Sequence, residues 1–306
     1  MPDGAVAAEG SGTTRAGSSK GSSAEYAVSV RGLTKVFRGR RGGDVVAVDD
    51  VSFAVTPGGS LAIVGESGSG KTTTARMIIG LEQPSAGRIC IGDRPRGAGR
   101  LGSKERRRLG REVQIVFQDP YSSLDPRQRV SDCLDEVLRL HFDLSRPERE
   151  SRIMELLLQV GLDERHAGVY PRALSGGQQQ RVAIARALAS LPRVLILDEA
   201  VASLDVSVQA QVLNLLADIR EQMGVTYLFI SHDLAVVRQV SDDVVVMRRG
   251  TIVERGSTSQ VLDDPQHPYT KALLLAVPRR GWKPVRTRLL DSMSADLAPE
   301  EASDSR

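Results

Sequence analysis

The chain has 306 residues, of which 41% are hydrophobic and 26% charged, and its formal net charge is only +3. That length can bury one large core or two modest ones, and so weak a charge gives no reason to expect nucleic acid as a partner. The longest apolar runs, such as 194–197 and 272–277, fall far short of the ~18 residues a membrane span needs, so work at a membrane requires other chains to supply the spanning helices.

Residues 1–25 are dominated by Gly, Ser, Ala and Thr. Such a segment cannot offset the entropy of ordering, and a disordered tail is expected. Acidic and small residues open it, with no basic region followed by an apolar run, so it does not read as a secretory signal. Deleting residues 1–24 should leave the melting temperature within a few degrees of the full chain, which a thermal melt of the two proteins checks.

Short strands are expected at 28–30 and 51–55, the second alternating as a half-exposed sheet does. Residues 60–64 form an apolar strand that ends in a glycine-rich turn, with a helix from Lys71. The turn reads Gly65-Glu66-Ser67-Gly68-Ser69-Gly70-Lys71-Thr72, then Thr73, and matches GxxxxGK[ST] without deviation. Glycines let the backbone wrap an anion with its N–H groups, and the helix points its positive end at the phosphates. Lys71 is then placed to reach β- and γ-phosphates, and the Thr72 hydroxyl to ligate Mg²⁺.

The basic stretch 94–111, with Arg106, Arg107 and Arg108 in a row, reads as a solvated loop or edge rather than a nucleic-acid contact. Between 119 and 190 the pattern turns helical, and 148–160 carries Ile153, Leu156, Leu157 and Val160 at helical spacing. A strand at 193–197 ends in Asp198-Glu199. An acid at such a strand end is the metal partner a phosphate loop needs: Asp198 would hold Mg²⁺ through water, and Glu199 is placed as general base on the attacking water. The helix expected at 207–223 sets Val208, Val212, Leu215, Leu216, Ile219 and Met223 on one stripe, which reads as core packing. One more apolar strand is expected at 226–230, just before His232. The alternation describes an α/β protein with buried parallel strands covered on both faces. The two cysteines, Cys90 and Cys133, form no CxxC pattern, so no disulfide framework or zinc knuckle is expected and a reducing cytoplasm fits.

Leu174-Ser175-Gly176-Gly177-Gln178, followed by Gln-Gln-Arg-Val-Ala-Ile-Ala-Arg-Ala-Leu, resembles the signature of the ABC transporter ATPases. Physically, Ser-Gly-Gly at a helix start is a second anion site, with a hydroxyl and bare amides. The resemblance implies that Ser175, Gly176, Gly177 and Gln178 bind the γ-phosphate of ATP held in the opposite subunit's cradle, in a head-to-tail dimer that buries two ATP molecules. It also implies that Gln118 is the Q-loop glutamine, a metal ligand that senses the transmembrane partner. Ser203-Leu204-Asp205 resembles the D-loop that crosses the dimer interface, His232 the switch histidine on the γ-phosphate, and Phe37 the aromatic that stacks on adenine. Many members read DEPT where this chain has Asp198-Glu199-Ala200-Val201, a departure that keeps both acids.

The implied fold is a P-loop NTPase of the ABC ATPase kind, with a RecA-like core, an antiparallel β subdomain and a helical signature subdomain at about 119–190. The ATPase domain would span 26–264, followed by a C-terminal extension at 265–281 and a flexible tail at 282–306. Gln118-Asp-Pro-Tyr-Ser-Ser-Leu-Asp-Pro126 and His267-Pro268-Tyr269-Thr270 resemble the oligopeptide/dipeptide/nickel branch, and the chain looks like its second, F-type ATPase. Implied partners are a second ABC ATPase subunit (a D-type paralogue), two transmembrane permeases and an external peptide-binding protein, with no nucleic acid. The implied ligands are ATP and Mg²⁺, and the implied location is the cytoplasmic face of the cell membrane, as a peripheral subunit. Some members carry a cysteine cluster in the extension; none stands here, so no iron–sulfur cofactor is expected. Nickel uptake and peptide export are the alternatives to peptide import. DNA-maintenance ATPases with this signature separate its two halves by a long coiled coil, which 72–174 cannot supply, and ribosome-acting ones carry a second phosphate cradle, which this chain lacks.

Overall fold

A computed structural model describes residues 25–39, 43–96, 102–119 and 123–276. The expected tails at 1–25 and 282–306 lie outside the described residues, apart from Glu25. In chain order the elements are β1 (Val28–Phe37), β2 (Val45–Val55), β3 (Ser60–Val64), α1 (Lys71–Ile79), β4 (Ala86–Ile91), β5 (Arg94–Pro95), α2 (Ser103–Glu112), β6 (Val113–Val116), α3 (Val130–His141) and α4 (Arg146–Gln159). They continue with α5 (Gly176–Leu188), β7 (Val194–Asp198), α6 (Val206–Met223), β8 (Thr226–Ser231), α7 (Leu234–Val240), β9 (Asp243–Arg248), β10 (Thr251–Ser257), α8 (Thr258–Asp263) and α9 (Pro268–Leu275).

Strands β3, β7 and β8 are buried along their whole length, as their unbroken apolar sequences require. They lie in a six-stranded sheet of order β10-β9-β3-β8-β7-β6. All neighbours in it are parallel except the edge pair β9–β10, with Leu61 opposite Leu228 and Leu195 opposite Tyr227. Successive side chains on one strand enter different cores. Ala62, Val64, Leu195, Leu197, Tyr227 and Phe229 pack with the helical part of the chain, through Leu134, Leu156, Ile184 and Leu216. Leu61, Ile63, Val194, Ile196, Leu228 and Ile230 pack with α1 and with the antiparallel sheet, through Met77, Ile78, Val30 and Phe53.

That second sheet has four strands in the order β2-β1-β4-β5. The alternation expected at 51–55 is present, with Val51, Phe53 and Val55 buried and Ala54 exposed. Both β1 and β2 run longer than the sequence pattern indicates, because their outer halves pair as an exposed hairpin with Phe37 opposite Val45. The basic stretch needs a correction. Only 94–95 is an edge strand, while 103–112 is a helix anchored by one buried side chain, Leu109, with its charges outward. In α6 the buried face is Val212, Leu213, Leu216 and Ile219, so the stripe is centred one residue away from the expected one and leaves Val208, Leu215 and Met223 at its margins. No described helix is long and apolar enough to cross a membrane.

Candidate functional site

The phosphate-loop residues, the acid pair and His232 meet at the carboxyl ends of β3, β7 and β8, in the crevice where open α/β sheets bind ligands. Gly70 ends the loop in the left-handed region at φ 102°, and a Cβ there would lie 2.5 Å from the Ala47 carbonyl oxygen on β2. Gly65 is pressed against the Met247 carbonyl of β9 so closely that a side chain would overlap it. At both positions the positive φ and the close contact together require glycine. The Thr74 hydroxyl donates to the Gly70 carbonyl at 3.0 Å and locks the first turn of α1. The N-terminal amides and dipole of α1 therefore face the loop.

The Lys71 side chain curls back over the loop and is 5% exposed. Its Nζ donates to the carbonyls of Gly65 at 2.8 Å and Glu66 at 2.7 Å, with the Ser69 hydroxyl at 3.4 Å. Burial pulls the Lys71 pKa down, and the charges of Glu199, Asp198 and Glu66 oppose that shift. On the facing strand end, the Thr72 hydroxyl donates to Asp198 Oδ1 at 3.2 Å. Burial pushes the Asp198 carboxyl up; the Thr72 hydrogen bond acts against the shift and the neighbouring Glu199 charge adds to it. A desolvated carboxylate touching a hydroxyl is the hard-oxygen set that a small divalent cation takes, with phosphates and water completing its shell. Two oxygen donors leave room for phosphate oxygens and water, so the Thr72–Asp198 pair fits a divalent cation brought with a phosphate ligand.

Glu199 follows β7 with φ 51°, an uncommon value for a side chain other than glycine. Its N–H donates to the Ile230 carbonyl at 2.9 Å, which fixes the turn against β8. This directs the carboxylate toward the residue after β8, and Glu199 Oε1 lies 3.2 Å from His232 Nδ1. Gln118 is exposed just beyond β6, and its carbonyl accepts from the Ser203 hydroxyl at 3.2 Å.

The signature residues stand elsewhere. Ser175 caps α5, and a reciprocal pair closes the cap: Gln178 N–H to Ser175 Oγ at 3.3 Å, and Ser175 N–H to Gln178 Oε1 at 2.9 Å. Gln178 Nε2 also lies 3.1 Å from His166 Nε2, and His166 Nδ1 lies 2.9 Å from Asp163 Oδ1. Gly177 is pressed onto Val208 at the start of α6, so the signature and the Asp205 turn form one continuous surface. Asp205 caps α6, accepting from the Ser207 hydroxyl at 2.7 Å and the Val208 N–H at 2.9 Å, and its carboxyl is held below the usual range by these bonds, chiefly the Ser207 one. Phe37 is exposed at the end of β1 with the Lys35 ammonium 4.7 Å from its ring centre.

Three contacts on the phosphate loop carry no signal in the motifs. Gly250 N–H donates to the Ser69 carbonyl at 3.0 Å, Met247 abuts Gly65, and the Tyr269 hydroxyl accepts from the Glu66 N–H at 3.1 Å. Arg248-Arg249-Gly250 reads as a turn, but nothing in its composition says what it touches.

Comparison with known proteins adds the family. The model described as ABC transporter matches residues 48–202, about half of the chain. The chain belongs to the ABC transporter family. A second model, Oligopeptide/dipeptide transporter, C-terminal region, matches residues 253–298 of this ABC ATPase. The "Di/tripeptide transport ATP-binding protein DppF" of Pseudomonas aeruginosa (strain UCBPP-PA14) is 45% identical over 271 residues, covering 87% of this chain and 83% of the relative. The "Glutathione import ATP-binding protein GsiA" of Shigella flexneri serotype 5b (strain 8401) is 46% identical over 257 residues, or 83% of this chain, which spans only 41% of that longer protein. Among solved structures, the dimeric post-hydrolysis state of the ATP-binding cassette MJ0796 bound to ADP and Pi is 28% identical and superposes with a TM-score of 0.67 over 76% of this chain and 98% of that one. The ABC ATPase fold expected from the sequence is the fold observed, and the chain is an ATP-binding, ATP-hydrolysing transport subunit.

Proposed function

We propose that this chain is the F-type ATPase of a peptide importer, working at the cytoplasmic face of the membrane beside a D-type paralogue, beneath two permeases and with an external peptide-binding protein. The observation that carries this reading is the pairing of an intact phosphate loop and acid pair with a C-terminal region of the oligopeptide/dipeptide transporter kind packed directly on that loop. The names of the relatives, a di/tripeptide transporter and a glutathione importer, favour a peptide cargo over the nickel and export alternatives.

In this reading the amides of 65–73 wrap the phosphates of ATP, and the Lys71 ammonium exchanges loop carbonyls for β- and γ-phosphate oxygens. Thr72, Asp198 and Gln118 would hold Mg²⁺, which would supply neutralising charge when bound. Glu199 accepts the proton of the attacking water, and His232, next to its carboxylate, contacts the γ-phosphate as charge spreads over it. Phe37 stacks on adenine. Ser175, Gly176, Gly177, Gln178 and Asp205 form a second surface that serves the partner's nucleotide, a reading supported by the bonds of Ser175 to Gln178 and of Asp205 to the start of α6, away from the phosphate loop. The domain limits in this reading are 26–264 for the ATPase, with helices at about 119–190, and 265–281 for the extension.

The cleft of about 520 Å³ between β6 and the helical layer, lined by Phe117, Val137, Leu140 and His141, supports a permease contact beside Gln118. Peptide uptake by membrane vesicles carrying the reconstituted complex tests the reading. Lys71→Ala should abolish ATP binding by this subunit and reduce uptake of a labelled dipeptide to background. Uptake that persists, or a complex that moves nickel but no peptide, would refute it.

A further inference from the structure

The peptide unit joining Gly65 to Glu66 is gripped at both ends. Its carbonyl, that of Gly65, accepts from Lys71 Nζ at 2.8 Å, and its N–H, that of Glu66, donates to the Tyr269 hydroxyl at 3.1 Å. The second grip comes from α9, more than two hundred residues along the chain. Tyr269 is 2% exposed and joins the core cluster that holds Val244, Val246, Val261 and Leu262. Its ring faces the Arg248 guanidinium, 5.0 Å from the ring centre, one residue after the Met247 carbonyl that abuts Gly65.

Helix α9 is itself anchored. Glu254 on β10 accepts from the N–H groups of Gln266 at 2.7 Å and His267 at 3.1 Å. His267 Nδ1 accepts from the Tyr269 N–H at 3.1 Å and caps the helix, and Pro268 fills its first turn, where no N–H is needed. The extension thus delivers one hydroxyl to one amide at the outer rim of the phosphate loop. Burial pushes the Tyr269 pKa up, so the group stays a neutral hydroxyl at physiological pH. Left without that acceptor, the Glu66 N–H would lose its protein partner, and the peptide whose carbonyl holds Lys71 would be free to rotate.

We propose that Tyr269 is a positioning residue for the phosphate loop, and that the C-terminal region sets nucleotide affinity through the Gly65–Glu66 peptide unit without touching nucleotide. The inference rests on the reading of 65–73 as the ATP site. It makes the C-terminal region part of the nucleotide machinery: a load on α9 or on the chain beyond it reaches Lys71 through a single peptide unit.

The test uses the full chain and a fluorescent ATP analogue with Mg²⁺. Tyr269→Phe keeps the ring and its Arg248 contact but removes the acceptor. The Kd should rise about fivefold, the loss of one hydrogen bond of about 1 kcal/mol. Amide exchange at Glu66, measured without nucleotide, should speed up at least tenfold. Leu262→Ala opens a cavity beneath the same region and is the control for general loosening. It should lower the melting temperature at least as far as Tyr269→Phe, with Kd within twofold of the parent. Equal Kd and equal Glu66 exchange in Tyr269→Phe would overturn the proposal, as would a matching rise in Kd for Leu262→Ala. Failure of the parent protein itself to bind the analogue would instead remove the ATP-site reading beneath it.

Discussion

Replacing Glu199 with glutamine is expected to leave ATP binding intact while slowing turnover of the assembled complex by ~10²-fold or more, the usual scale for loss of a general base. The amide is nearly the shape of the carboxylate, and the turn that presents it is fixed by the backbone bond from Glu199 N–H to the Ile230 carbonyl, which the substitution does not touch. Lys71, Thr72 and Asp198 keep their contacts with the loop and with one another, so the groups assigned to nucleotide are unaltered. What changes is basicity. A carboxamide 3.2 Å from His232 cannot take a proton from water. Hydrolysis stalls after closure, and ATP-bound dimers should accumulate, visible as a shift in size-exclusion chromatography with ATP and Mg²⁺. Normal turnover in the purified Glu199→Gln complex would exclude this residue as the base.

Ser175→Arg should separate the two nucleotide surfaces of one chain. Ser175 is exposed and caps α5, so arginine costs the helix about 1 kcal/mol at that cap, a loss a domain of this size can absorb. Its larger effect is to put a long cation where a bare hydroxyl and amides would meet the partner's γ-phosphate. ATP affinity at Lys71 should stay within about twofold, since Ser175 makes no bond to the loop, whereas ATPase activity of the assembled complex should fall at least tenfold. Equal losses of binding and turnover would mean that both motifs serve the same nucleotide within one chain.

Much of this site is legible in the sequence because its parts are local. Strands β3, β7 and β8 are continuous apolar runs that stop at Gly65, Asp198 and Ser231, and an acid or histidine directly after a buried strand must emerge at the sheet's carboxyl edge. The signature is legible for the same reason, since Ser175 and Gln178 close a cap three residues apart. Strand β9 carries an apolar run of the same kind at 244–247, whereas β10 escapes the pattern. In β10 the exposed edge carries Glu254 and Arg255, whose charges hide any alternation. Helix α2 is obscured by its run of arginines, because one buried leucine is too little apolar signal to mark a helix. The brace on the phosphate loop is illegible on principle: Glu66 and Tyr269 meet only because β9 and β10 extend the sheet beside β3 and the chain then brings α9 to the loop, and periodicity reports a residue's own element, not what lies across from it.

We propose that this cassette completes its catalytic sites only with a partner ATPase in an importer. The most direct measurement is the ATPase rate of the lone subunit against that of the complex with the D-type ATPase, the two permeases and the peptide-binding protein. The lone subunit should be mostly monomeric and a poor ATPase, assembly should raise its turnover, and peptide-loaded binding protein should raise it again. A lone subunit that matches the complex in rate and ignores the binding protein would contradict the account and make the chain a self-sufficient homodimer.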